Sequence, residues 1–391
     1  MAPHRKEFYG IILVALVCLL LIAFSQKESS PVIRSRPPTF QAIEIDEPES
    51  ISEEHISIDK ILNTQRYRLR RELYSYKLPG NLSLSNFTLD TNGQPVRTLI
   101  VTTWRSGSTF LGDILNALPG NYYHYEPLLD YGIVQIRGPP YADSAISVLK
   151  SLLNCDYTDL HRYLEFGMSH IYLFTHNKRL WSQCEAYPDY CWQPEFLNRF
   201  CKLFPFQSMK TVRLRLKLAE DLLEDKLLNL KIILLIRDPR ATLQSRRHRD
   251  WCPGEPDCDQ PSYLCSDMVS DYSAAIRLMQ LYPSKFRAIR YEDLSLSPYQ
   301  LTQDIFKFIG LPLHPQVKDF LASHTIVDVG GVSSTYRDSK NAPFHWKTDL
   351  NYTEVQVIED TCREAMKLWG YVRTESSNLK DFFPLTSYDI K

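Results

Sequence analysis

Three apolar residues, Leu99, Ile100 and Val101, lead into a polar turn over residues 102–108. The apolar positions beyond it, Phe110, Leu111, Ile114, Leu115 and Leu118, recur at the spacing of one helix face. This reads as strand, loop, helix. The same grammar returns where the apolar run of residues 229–236, NLKIILLI, passes straight into RDPRATLQSRRHR, with Pro239 suited to a first helical turn. Between them, NYYHYEP (residues 121–127) reads as a second strand stopped by Pro127. MKTVRLRL (residues 209–216) alternates as a further strand, residues 219–228 read as a helix, and Tyr291, Glu292 and Asp293 close another strand. Residues 140–205 carry short helical periods, and residues 355–369 a helix-like run containing Cys362. Strands alternating with helices predict an α/β fold with a parallel sheet.

The N-terminal pattern is different. Residues 8–24, FYGIILVALVCLLLIAF, hold no charge and reach the short end of what spans a bilayer core. No small-x-small cleavage site follows, so the span reads as an uncleaved anchor. Arg5 and Lys6 before it outnumber Lys27 behind it, which predicts a cytoplasmic tail of residues 1–7 and a lumenal remainder. Residues 25–94 read as a solvated stem, with Ser, Pro and Gln frequent at first and then an acidic run from Glu44 to Glu54. Within it Ile58, Ile61, Leu62, Tyr67 and Leu69 hint at a short amphipathic helix. Dimerisation through this helix, or its packing on the catalytic domain, are the alternatives to a solvated linker. Residues 95–391 form the lumenal domain.

Composition changes this picture little. With 391 residues, 44% apolar and 23% charged, the chain is long enough for one large domain, and its net charge of −1 argues against a nucleic-acid partner. Cysteine usage says more. Of nine Cys, Cys18 lies in the span, and the remaining eight suit an oxidising lumen, although their pairing is not readable from sequence. Cys184, Cys191 and Cys201 suggest a stapled insertion. Asn81, Asn86 and Asn351 begin N-x-[ST] sequons.

Candidate chemistry sits at the two βα turns. The first presents backbone N–H groups, the hydroxyls of Ser106, Ser108 and Thr109, a helix N-terminus and Arg105 to one point, with Gly107 permitting close approach. That suits a phosphate-like anion. A nucleoside triphosphatase loop would need G-x-x-x-x-G-K-[ST], and no Gly stands five residues before Gly107 and no Lys follows it. Metal-triphosphate chemistry therefore has no apparatus here, and no metal site is expected. The second turn carries Arg237, Arg240, Arg246, Arg247 and Arg249, whose forked donors match phosphate and sulfate oxygens. Arg237 closes a strand of apolar residues, where a cation is costly without a partner. Arg246, Arg247 and Arg249 read equally well as a solvated face. Glu126 stands at a strand end, which in a parallel sheet lies on the ligand side.

TWRSGSTF followed by LIRDPRATLQSR closely resembles the two nucleotide-binding motifs of the Golgi carbohydrate sulfotransferases, specifically the galactose, N-acetylglucosamine and N-acetylgalactosamine 6-O-sulfotransferase group. RYEDL, GLPL and residues 337–346 continue the resemblance in order, over roughly residues 95–372. It implies 3′-phosphoadenosine 5′-phosphosulfate as donor. Arg105, Ser106, Gly107, Ser108, Thr109 and Phe110 would then hold the 5′-phosphosulfate, and Arg237 and Ser245 the 3′-phosphate. Arg105 is the candidate for stabilising the leaving oxygen, and Glu126 for the general base, with His124 and His248 as alternatives. Tyr336, Arg337, Ser339 and Lys347 resemble the segment that closes over donor and acceptor. The expected protein is a single-pass type II Golgi enzyme with a kinase-like parallel sheet, sulfating the 6-hydroxyl of a sugar in a glycan or glycosaminoglycan of chondroitin or keratan type. A nucleotide or sugar kinase, and a catalytically silent glycan-binding protein, are the rival readings of the same fold.

Overall fold

A computed structural model describes residues 56–326, 329 and 335–387. The expected cytoplasmic tail, the span at residues 8–24 and the first part of the expected stem, residues 25–55, lie outside these residues. Among the described residues no helix is long and apolar enough to cross a membrane. The sheet is built from β1 (Val96–Val101), β2 (Asn121–Tyr125), β3 (Phe206–Thr211), β4 (Leu230–Ile236) and β5 (Phe286–Arg290). The main helices are α1 (Ile58–Glu72), α2 (Ser108–Asn116), α3 (Ala142–Leu153), α4 (Pro194–Cys201), α5 (Pro239–Arg247), α6 (Pro261–Leu281), α7 (Tyr291–Leu296) and α8 (Pro298–Ile309).

The strands lie in the order β2-β3-β1-β4-β5, all parallel, so the expected α/β architecture is present. Alternate side chains feed two cores. Leu99, Val101, Met209, Ile232 and Leu234 pack with α3, α4 and α6 on one face. Ile100, Phe206, Ile233, Leu235 and Ile289 pack with α2 and α8 on the other. The chain crosses from one side of β1 to the other between β3 and β4, which opens the ligand crevice of this topology beyond the carboxyl ends of β1 and β4.

Three sequence expectations need correction. The strand expected over residues 209–216 is β3, which starts at Phe206 and ends at Thr211, with all six positions buried. Strands covered on both faces need no alternation. The alternation in TVRLRL instead places Arg213 and Arg215 in buried loop positions, 2% and 3% exposed. The helix expected over residues 219–228 is one short turn, Glu220–Glu224, because the Asp225 carboxylate accepts from the Leu227 N–H and turns the chain into β4. Tyr291, Glu292 and Asp293 do not end a strand but open α7.

The stem boundary also moves. Residues Ile56–Lys391 form one compact unit, and α1 belongs to it. Ile61, Leu62 and Leu69 join the core that holds α3 and α4, while Asp59 pairs with Arg199 and Arg66 with Asp90 at 3.1 Å. The Ser57 hydroxyl caps the helix by accepting from the Lys60 N–H. A solvated linker could not bury these residues. All eight cysteines beyond Cys18 are paired: Cys155 with Cys201, Cys184 with Cys191, Cys252 with Cys258 and Cys265 with Cys362. The stapled insertion suggested by Cys184, Cys191 and Cys201 is present, closed by two of these bridges, and Cys362 separates two helices, Tyr352–Thr361 and Arg363–Leu368, where the sequence suggested one.

Leu62 is 1% exposed, so Leu62→Ala is expected to cost about 2–4 kcal/mol of stability. Denaturant unfolding of the full chain checks this. A change below roughly 0.5 kcal/mol would return α1 to the linker reading.

Candidate functional site

Both βα turns reach the same place. They line a cavity of about 510 Å³ together with α7, His324 and side chains between Thr335 and Asp349. The two strand ends are locked first. The Thr102 hydroxyl donates to the Leu235 carbonyl at 2.6 Å, tying the end of β1 to that of β4. Arg237, directly after β4, donates from Nη1 to the Arg105 carbonyl at 2.7 Å and lays its guanidinium over the Tyr291 ring at 4.8 Å. Its Nε is buried and has no hydrogen-bond partner among the described residues.

The turn after β1 is shaped by two left-handed residues, Arg105 (φ 65°) and Gly107 (φ 84°). Only glycine suits the second, because a Cβ there would lie 2.1 Å from Cδ2 of Tyr291. The chain can therefore press against α7 and enter α2 at Ser108, leaving the first N–H groups of that helix without intrahelical acceptors. Gly107, Ser108, Thr109 and Phe110 line the cavity at this helix N-terminus. Ser106 does not. It is 1% exposed, and its hydroxyl donates back to the Thr103 carbonyl at 3.0 Å, bracing the turn from behind.

Arg105 joins the two halves. Its Nε donates to the Ser245 hydroxyl on α5 at 3.1 Å. Burial, and then the positive charges of Arg249 and Arg237, bring its pKa down to about 10, so it stays protonated at neutral pH. Arg337 adds a further cation nearby and lines the same cavity. The carboxylate in the lining is Asp349, which accepts from the Gln244 side chain at 2.5 Å. The site is thus a cationic pocket with hydroxyl and N–H donors at two ends, suited to a ligand with two anionic groups.

The remaining arginines of the second turn divide by position. Arg240 is fully buried between Asp238 and Glu359, at 2.6 Å from each, and supports α5 rather than the cavity. Arg246 is buried as well, donating to the Trp104 and Cys258 carbonyls and to the Thr103 hydroxyl, so it clamps the first turn. Arg247 matches the solvated reading, exposed and paired with Glu354. Glu292 receives the Asp238 N–H and the Tyr371 hydroxyl, and burial beside Asp238 pushes its pKa up to about 7.

The structure does not bring Glu126 into the cavity lining. It has left-handed backbone (φ 46°), is 4% exposed, and pairs with Lys210 at 2.7 Å and Arg213 at 3.2 Å. His124 is buried within β2 against Tyr122, and desolvation takes its pKa down to about 3. His248 does line the cavity, at the end of α5. Lys347 does not; it donates to the Phe382 carbonyl, whereas Arg337 and Ser339 of the same segment do reach the lining. Sequence reasoning missed Gln244, Tyr291, His324, Thr335 and Asp349. Gln244 was recoverable as the neighbour of Ser245, but His324 and Thr335 carry no local signal and arrive through tertiary packing.

Residues 95–370 match the sulfotransferase domain family. Mouse carbohydrate sulfotransferase 4 is 27% identical over 326 residues, covering 72% of this chain and 84% of that protein. Mouse carbohydrate sulfotransferase 1 is 28% identical, covering 71% of this chain and 80% of its own length, and human carbohydrate sulfotransferase 3 is 26% identical, covering 70% and 66%. The family match spans both turns, the cavity and the sheet between them, and on that ground the chain belongs to the sulfotransferase family and is a sulfotransferase enzyme.

Proposed function

We propose that this enzyme transfers sulfate from 3′-phosphoadenosine 5′-phosphosulfate to the 6-hydroxyl of a galactose, N-acetylglucosamine or N-acetylgalactosamine residue in a glycan or glycosaminoglycan. The observation that carries the reading is the meeting of Arg105, residues 107–110, Arg237 and Ser245 in one cationic cavity. A donor with a phosphosulfate at one end and a phosphate at the other fits that donor set. The unpartnered Nε of Arg237 leaves a buried N–H for such an anion. Similarity to carbohydrate sulfotransferases supports a sugar acceptor.

The bound donor supplies an activated sulfuryl group. The protein's part is electrostatic. The α2 N-terminus and Arg105 would stabilise the negative charge that grows on the departing oxygen, and the turn that carries them is braced in advance by Tyr291, Arg237 and Arg246. Glu126 is assigned as the base for the sugar hydroxyl from its place at the carboxyl end of β2; in that role its ion pairs with Lys210 and Arg213 would have to open. The eight paired cysteines and the apolar span at residues 8–24 support a single-pass type II protein of the Golgi membrane with its catalytic domain in the lumen.

Labelled sulfate offered with desulfated chondroitin, keratan-type and N-acetylglucosamine-terminated acceptors is expected to appear at a 6-hydroxyl of at least one. Linkage analysis that finds another position would overturn the regiochemistry. Arg105→Ala is expected to lower kcat roughly 10- to 100-fold, as removal of a charge-assisted bond at the leaving group should; unchanged turnover would remove it from the mechanism. Glu126→Gln is expected to abolish transfer and also to cost about 3–5 kcal/mol of stability, because Lys210 is left buried and uncompensated. The double variant Glu126→Gln, Lys210→Met separates the two effects. Activity that returns with stability would transfer the base assignment to His248.

A further inference from the structure

The outer face of α1 has no role in the cavity, and its composition is unusual for a solvated helix. Lys60, Tyr67, Arg68, Arg70, Arg71 and Tyr74 are all exposed, with Tyr67 at 67% and Tyr74 at 92%. Lys60, Tyr67 and Arg71 follow one another at steps of seven and four residues, a single stripe opposite the buried Ile61, Leu62, Gln65 and Leu69, and Tyr74 lies just past the helix end. The acids of this helix do not offset the stripe. Asp59 is held by Arg199 and Glu72 by Arg179 at 3.9 Å, while Lys60, Arg68, Arg70 and Arg71 have no ion-pair partner among the described residues. Exposed helices normally intersperse both signs.

This face lies at the other end of the sheet from the cavity. Leu73, just past α1, packs against Gly120 ahead of β2, and Tyr76 packs on Phe206, the first residue of β3. The cavity lies beyond the carboxyl ends of β1 and β4, about 20 Å of strand away.

We propose that the outer face of α1 is a docking site for a polyanionic polysaccharide, engaging the acceptor polymer at a distance from the reacting sugar. This rests on the glycan reading of the cavity. Cations along a helix about 22 Å long meet repeating sulfate or carboxylate groups, and the tyrosine rings offer flat faces to sugar rings. Charge excludes a second copy of the same face. A lipid surface is disfavoured because the apolar side of α1 is buried in the domain and its outward side presents no Leu, Phe or Trp to insert.

The test uses the purified full chain, which retains the acidic residues from Glu44 to Glu54 upstream of α1. Chondroitin sulfate chains of graded length are titrated against wild type, against Arg70→Glu with Arg71→Glu, and against Arg70→Lys with Arg71→Lys. Affinity for long chains is expected to fall roughly tenfold in the charge reversal and to survive in the lysine variant, with a shallower salt dependence after reversal. In transfer assays KM for long acceptors should rise with kcat unchanged, and tetrasaccharide acceptors should show no difference. Equal binding by wild type and reversal overturns the proposal. So does failure of wild type to bind long chains, which would assign the face to the acidic run or to solvent. Reversal that abolishes binding to phosphatidylserine vesicles while leaving chondroitin sulfate binding intact would make the face a membrane contact instead. Because binding is read without turnover, absence of transfer to every acceptor would refute the glycan reading alone.

Discussion

Buried guanidinium groups bonded to backbone carbonyls are the constraint on which this site depends. Buried Arg215 donates to the carbonyl of Thr102, buried Arg246 to that of Trp104 and half-buried Arg237 to that of Arg105, so three of the four residues from Thr102 to Arg105 are each held by an arginine from elsewhere. The turn itself has no carboxylate to neutralise it. Carbonyl oxygens left unpaired beyond a strand end would be costly to bury, and so would the guanidiniums, but each satisfies the other. The result is a rigid loop of high positive potential whose remaining donors point to one cavity.

That potential has to be balanced without reaching the ligand. The buried acids stand behind the second turn and along the far side of the first: Asp238 and Glu359 hold Arg240, Asp267 and Asp271 hold Arg215, and Glu126 holds Lys210 and Arg213. Each pair carries a desolvation cost, and such pairs are weak evidence for stability by themselves. Their value here is positional. Arg240 is sandwiched by charge and by the Trp346 ring, at 4.2 Å, and so anchors α5 with Ser245 on it. Glu292 does the same for the start of that helix, accepting its first free N–H at Asp238.

Much of the site was legible because the two turns are local. An apolar run, a Gly and hydroxyl turn, and a helix with period-3.6 apolar positions occupy about twenty consecutive residues, so strand end, loop and helix N-terminus follow from short-range patterning. The same holds for Arg237 and Ser245, eight residues apart across one strand-to-helix junction. What misled was charge. TVRLRL read as part of an alternating strand and Arg246 read equally well as a solvated residue, yet Arg213, Arg215 and Arg246 are all buried, at 2%, 3% and 1% exposure. Sequence marks that a cation is present, not whether a carbonyl or carboxylate waits for it sixty or a hundred residues away.

The parallel α/β class, the two βα turns and the even set of cysteines follow from periodicity, turn chemistry or counting within a short window. Long-range packing sets which cysteines pair, makes α1 part of the domain, turns Ser106 to brace the site from behind, and puts Glu126 in an ion-paired cluster outside the cavity lining. The physical reason is the same in each case. These outcomes depend on which groups from distant segments share one buried volume, and there the need to satisfy every charge and every hydrogen-bonding group overrides what neighbouring residues suggest.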